Sequence, residues 1–152
     1  MYDLMIIGSG PAGISAALTA KARNLNFIWF GSRALSTKIE KAEKIMNYPG
    51  LPAVTGNEMQ SVFLKQIDDC GITITEAQVN SIYDCGGYFA AGADNEIYEA
   101  KSVIMTVGMT TTREIEGEAR LLGCGVSYCA TCDGALYLSL IHISEPTRHS
   151  LI

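Results

Sequence analysis

The chain has 152 residues, 48% of them hydrophobic, with 11 basic and 16 acidic side chains and a net charge of -5. That length supports one globular domain with a core and leaves little for a second, while the negative balance argues against nucleic acid or an anionic membrane surface as a partner. Five cysteines, Cys70, Cys85, Cys124, Cys129 and Cys132, in a chain that opens on an apolar run rather than a basic leader, point to free thiols in a cytoplasmic setting.

In chain order, residues 3–7 read as a short apolar strand. Residues 11–24, rich in alanine with Pro11 in the first turn, read as a helix. Residues 26–30, NFIWF, are almost entirely apolar, as in a parallel sheet covered on both faces. Together these make a βαβ unit. Residues 55–70 place Thr55 and Glu58 at capping-box spacing, with apolar side chains at Met59, Val62, Phe63, Ile67 and Cys70 and with Gly71 past the end, which predicts a helix. Residues 79–83, 88–91 and 97–100 read as a small antiparallel meander, and residues 102–106, SVIMT, as a further buried strand. No apolar run approaches the ~18 residues a membrane span requires.

Between the first strand and the first helix stands Gly8-Ser9-Gly10-Pro11-Ala12-Gly13, a G-x-G-x-x-G turn in the context that gives this pattern meaning. The first glycine permits the tight turn, the second lets a pyrophosphate approach the backbone, and the third lets helix and strand pack closely. An acidic residue for the ribose, ordinarily about 20 residues on, is missing, because the second strand runs into Gly31-Ser32-Arg33. Arg33 either receives a 2′-phosphate or is a solvated surface charge. The glycines alone do not choose between FAD and NADP.

Near the C-terminus, Cys129-Ala130-Thr131-Cys132-Asp133-Gly134 carries a CxxC pair. Such a pair lowers the pKa of one thiol, and Asp133 is placed to give a proton to a leaving thiolate. Structural zinc is the main alternative, with Cys124 as a third ligand. A tetrahedral site needs four, however, and only His142 and His149 remain. Cys70 and Cys85 are expected to be packing residues.

Four motifs in order, GSGPAG at residues 8–13, NYPG at 47–50, the turn Thr106-Val107-Gly108 and CATCDG at 129–134, resemble bacterial thioredoxin reductases and close flavoprotein relatives over residues 1 to about 137. The resemblance implies an α/β fold, a Rossmann-like FAD-binding βαβ with a parallel sheet plus a small antiparallel β-meander, here incomplete. It implies that Gly8, Ser9, Gly10, Pro11, Ala12 and Gly13 hold FAD, that Gly31, Asn47, Thr106 and Gly108 also touch the flavin nucleotide, and that the backbone near Val79 meets the adenine. By the same resemblance Cys132 faces the flavin, Cys129 exchanges with the disulfide of a thioredoxin-like protein, and Asp133 handles the proton. NADPH is the implied donor in a full-length, homodimeric parent, with its site outside this chain. Sister flavoproteins that take electrons from ferredoxin or pass them to peroxide-reducing partners, and a non-catalytic nucleotide- or zinc-binding module, are the alternatives. Two departures stand out: Val107 replaces the threonine of the family's common ATG turn, and the segment after the second strand lacks a GGQ element. Arg113, in the crossover, is equally well explained as an ion-pair partner.

The expected organisation is the N-terminal part of an FAD-binding domain over 1–110, a crossover and the start of a nucleotide domain carrying the CxxC over 111–137, and a non-native tail over 138–152. The segment LSLIHISEPTR within that tail resembles the conceptual translation of a transposon-based sequencing adapter. A fragment of this extent is expected to bind flavin weakly or not at all and to have no turnover.

Overall fold

The computed structural model describes residues 1–108, 116–121 and 124–126. Cys129, Cys132, Asp133, Arg113 and the tail 138–152 lie outside the described residues. The chain divides into two compact units, Met1–Lys44 with Val54–Met109, and Ile45–Ala53 with Thr110–Ile152.

The first unit is built on a five-stranded sheet of order β2-β1-β5-β4-β3. Strand β1 (Tyr2–Ile7) runs parallel to β2 (Phe27–Phe30) on one side and to β5 (Glu96–Met105) on the other. Its last four residues, Leu4, Met5, Ile6 and Ile7, are all buried, which accounts for the unbroken apolar run in place of an alternating one. Helix α1 (Pro11–Ala22) packs against β1 and β5. Ile14, Ala17 and Ala20 are buried, and the small alanines permit the close approach. β3 (Val79–Asp84), β4 (Phe89–Ala93) and β5 form the antiparallel meander. The turn between β4 and β5 is Asp94-Asn95, both with positive φ (46° and 68°), the signature of a two-residue type I′ hairpin. Ala91, Ala93 and Ala100 of the meander join Met5, Ile7, Ile28 and Phe30 in one buried cluster. Phe30 meets Tyr98 edge-on at a centroid distance of 5.0 Å.

The expected elements are present, with three differences. Residues 102–106, anticipated as a buried strand, contain no buried residue, and Ile104 and Met105 are exposed, because the apolar run at this end of the strand lacks cover among the described residues. The pieces anticipated at 97–100 and 102–106 are one continuous strand, β5, in which Ala100 pairs with Phe89 of β4 and with Tyr2 of β1. A short helix, α2 (Thr37–Glu40), which the sequence reading did not anticipate, follows Ser36, whose side chain caps it.

Helix α3 (Gly56–Asp69) buries Met59, Phe63 and Ile67, a single i, i+4, i+8 row. Val62 is exposed, and so are Cys70 and Cys85, so packing does not explain either cysteine. In the second unit, Leu51 N donates to Tyr48 O (3.2 Å), and α4 (Glu118–Leu121) starts from Gly117, whose carbonyl accepts from Arg120 N and Leu121 N. Among the described residues no helix is long and apolar enough to cross a membrane.

The capping box at the start of α3 is fully formed. Glu58 N donates to Thr55 Oγ1 (3.2 Å), and Thr55 N donates to Glu58 Oε2 (2.8 Å). The backbone N–H of Thr55, and after it the Thr55 hydroxyl, hold the Glu58 carboxyl below the usual carboxylate range. A carboxyl depressed by folding stabilises the native state above its unfolded pKa, and that contribution disappears as pH falls through the folded value. Thr55→Ala, which removes the N-cap acceptor of Glu58 N, is expected to cost about 1 kcal/mol in urea unfolding at pH 7. Glu58→Gln should be less stable than the unsubstituted chain at pH 7, with the gap closing below about pH 4.

Candidate nucleotide site

The C-terminal ends of β1, β2 and β5 meet at the glycine turn. Gly8 has φ +112°, and a Cβ there would run into the carbonyl of Thr106. A Cβ on Gly13 would collide with the Gly8 carbonyl and come within 2.8 Å of Thr106 Oγ1. The turn is fastened from both neighbouring strands. Gly8 N donates to Phe30 O (2.8 Å), and Gly8 O accepts from Trp29 Nε1 (2.8 Å) and from Thr106 Oγ1 (3.1 Å). The Thr106 hydroxyl also reaches Ile7 O at 2.9 Å. It thus braces the turn from behind, while Val107 is exposed and Gly108 has φ +68° with open space around it.

Ser9 ties this turn to the loop after β2. Its buried hydroxyl donates to Leu35 O (3.1 Å) and accepts from Ser32 N (3.0 Å). A Cβ on Gly31 would sit 2.5 Å from Ser9 Cβ, so only glycine fits there.

Gly10 is different in kind. It is the N-cap of α1 with ordinary φ (-72°), no side chain caps the helix, and a Cβ at this position would meet nothing within 4 Å. The first helical hydrogen bond runs from Ile14 N to Gly10 O (3.0 Å), so the amides of Ala12 and Gly13 have no helical acceptor. Pro11 has no N–H to leave unpaired. No acidic residue occupies the first turn. Open space at Gly10, amide donors and the positive end of a twelve-residue helix suit an anionic diphosphate.

Val79 begins β3 and its side chain packs against the buried cluster. Asn47 is exposed and belongs to the second unit. Arg33, the possible phosphate receptor, is an ion-pair partner: its Nη2 lies 3.1 and 3.0 Å from the two carboxylate oxygens of Asp68. Its backbone N–H donates to Glu76 Oε1 at 2.8 Å, a residue that the sequence reading passed over. Among the described residues no group of three or more His, Cys, Asp or Glu side chains could hold a metal ion.

The fold is that of a Rossmann-like α/β protein. Residues 2–139 match the Pyridine nucleotide-disulphide oxidoreductase family, and the chain belongs to it. It is 31% identical over 138 residues to the thioredoxin reductase of Bacillus subtilis (strain 168), a match covering 90% of this chain and 44% of that protein. The chain therefore spans less than half the length of the curated relatives it matches. Among solved structures it is similar to a ferredoxin-flavin thioredoxin reductase from Clostridium acetobutylicum, with 48% identity and a TM-score of 0.72 over 90% of this chain and 47% of that one. It is likewise similar to the thioredoxin reductase of Streptococcus pyogenes MGAS5005, with 35% identity and a TM-score of 0.75 over 90% of this chain and 45% of that one.

The glycines separate by mechanism. Gly13→Ala overpacks the turn and is expected to cost about 1–3 kcal/mol in denaturant unfolding. For Gly10→Ala the loss of a favourable N-cap and the gain from a stiffer unfolded chain offset each other, leaving stability within about 0.5 kcal/mol.

Proposed function

We propose that this chain is the flavin-binding and dithiol-bearing part of a cytoplasmic disulfide reductase whose acceptor is the disulfide of a thioredoxin-like protein. The observation that carries the reading is the open, uncapped helix start at Gly10 in a chain that also bears Cys129 and Cys132 at CxxC spacing. Gly8, Gly10, Ala12 and Gly13 would hold the diphosphate of FAD, with Ser9 and Gly31 keeping the two loops together behind it. When bound, FAD supplies a two-electron carrier between an electron donor and the cysteine pair.

The remaining chemistry belongs to the sulfurs. The Cys129 thiolate attacks one sulfur of the partner's disulfide, forming a mixed disulfide and releasing the other partner sulfur as a thiolate. Cys132 then attacks the Cys129 sulfur, closing the Cys129–Cys132 disulfide and freeing the second partner thiol. Asp133 gives a proton to the departing thiolate. Two electrons leave the dithiol and reduce one disulfide, so the pair must be reduced again before the next cycle.

One observation favours ferredoxin over NADPH as the donor. Identity with the ferredoxin-flavin enzyme, 48%, exceeds that with the Streptococcus and Bacillus thioredoxin reductases, 35% and 31%.

Protein expressed from the native reading frame should be yellow and should reduce a thioredoxin disulfide. Cys129→Ser and Cys132→Ser should keep the flavin and lose reduction, and Asp133→Asn should slow reduction by about 100-fold. Gly10→Ala should fold and lose flavin, because its methyl group fills the cradle. Reduced ferredoxin should sustain turnover where NADPH does not. A colourless protein whose thiols ignore added reductant would defeat the whole reading, and bleaching of the flavin by NADPH would defeat the ferredoxin assignment.

A further inference from the structure

A dinucleotide fold ordinarily ends its second strand with a carboxylate that accepts from the ribose hydroxyl. Here β2 ends at Phe30 and continues Gly31-Ser32-Arg33, with no acid. A carboxylate from another part of the chain lies close to this end. The segment leading into β3 runs beside the end of β2: Thr75 N donates to Trp29 O (2.7 Å), Gly31 N donates to Thr75 O (3.2 Å), and Phe30 and Thr75 form a parallel bridge. One residue further on, Glu76 Oε1 accepts from Arg33 N at 2.8 Å. Glu76 is exposed and takes part in none of the ion pairs of the described residues. Its second oxygen remains available as an acceptor. The nearby cation is engaged elsewhere, because Arg33 Nη2 lies on both oxygens of Asp68. Opposite charges at the end of β2 are thereby sorted, with the carboxylate at the strand end and the guanidinium on α3.

We infer that Glu76 takes the place of the missing strand-end acid: it accepts a hydrogen bond from the ribose 2′-hydroxyl in the adenosine half of the flavin nucleotide and excludes a 2′-phosphate. This rests on the flavin reading above. An ionised carboxylate is an acceptor only, so it rewards a hydroxyl that can donate and repels a second anion. Arg33, already paired with Asp68, offers that anion less compensation than a free guanidinium would.

The test is calorimetric and independent of turnover. Protein from the native reading frame, freed of flavin, is titrated with FAD, ADP, 2′-deoxy-ADP and 2′-phospho-ADP. The unsubstituted protein should bind ADP about tenfold more tightly than 2′-deoxy-ADP, the size of a hydrogen bond to a charged group, and should reject 2′-phospho-ADP. In Glu76→Ala the ADP affinity should fall to that of 2′-deoxy-ADP, which should itself be unchanged. Glu76→Gln, whose carbonyl oxygen keeps the Arg33 contact and whose amide can donate to the ribose oxygen where the carboxylate accepted from it, should retain part of the preference while admitting 2′-phospho-ADP. A purely structural brace on Arg33 N–H would weaken ADP and 2′-deoxy-ADP equally in Glu76→Ala, and that result, or an unchanged ADP preference in both variants, overturns the inference while leaving flavin binding intact. Failure of the unsubstituted protein to bind either FAD or ADP would instead remove the flavin reading, and this inference with it.

Discussion

The glycine-turn end of this sheet depends on one atom, the carbonyl oxygen of Gly8. It accepts from the indole of Trp29 in β2 and from the hydroxyl of Thr106 just past β5, so donors from the two strands that flank β1 converge on one acceptor. Removing either donor withdraws part of the satisfaction of a shielded polar group, an effect of about 1–3 kcal/mol where the acceptor is left unpaired. The bonds do more than stabilise. They fix the peptide that leads into α1 before any ligand arrives, and a cradle that is already ordered loses less entropy on binding. The burial of Trp29, the largest side chain in the core, follows from the same requirement, since its indole must reach a main-chain oxygen at the sheet end.

The second constraint is mutual. Ser9 can send its hydroxyl across to Leu35 and Ser32 only because residue 31 has no side chain in the way. A motif written as G-x-G-x-x-G treats position 9 as free, yet in this fold Ser9 and Gly31 form a coupled pair. A larger residue at either position would separate the two loops whose closeness shapes the site.

Much of this was legible in the sequence where the signal is local. The βαβ unit was visible from an apolar run, glycines and Pro11, and α3 from its capping box. The signal failed where a residue's role is set by tertiary pairing. Lys101 and Ser102 interrupt the apolar pattern of β5, so one strand read as two, although the backbone continues through a change of partners. The i, i+3 positions of α3 looked apolar enough to be core, yet only one row faces cover, leaving Val62 and Cys70 in solvent. Arg33 admitted two readings because its partner, Asp68, is 35 positions away. Glu76 carried no motif at all. Its relation to β2 comes from a single bridge between Phe30 and Thr75, which no periodicity announces.

The meander bears on the site through β5. Ala100 is paired on both sides, with Phe89 in the antiparallel half and Tyr2 in the parallel half, so the two registers cannot change independently. The Asp94-Asn95 turn fixes the first, pairing Ala93 with Glu96. Counting along the same strand then delivers Thr106 beside Ile7 and Gly8, where Thr106 N and Oγ1 both bond to Ile7 O. A slip of one residue would reverse the side chains of β5 and take the Thr106 hydroxyl off the glycine turn. A hairpin turn at the far end of the strand therefore helps to set the geometry of the cradle, which gives the meander a place in the mechanism of binding without contact between its turn and the site.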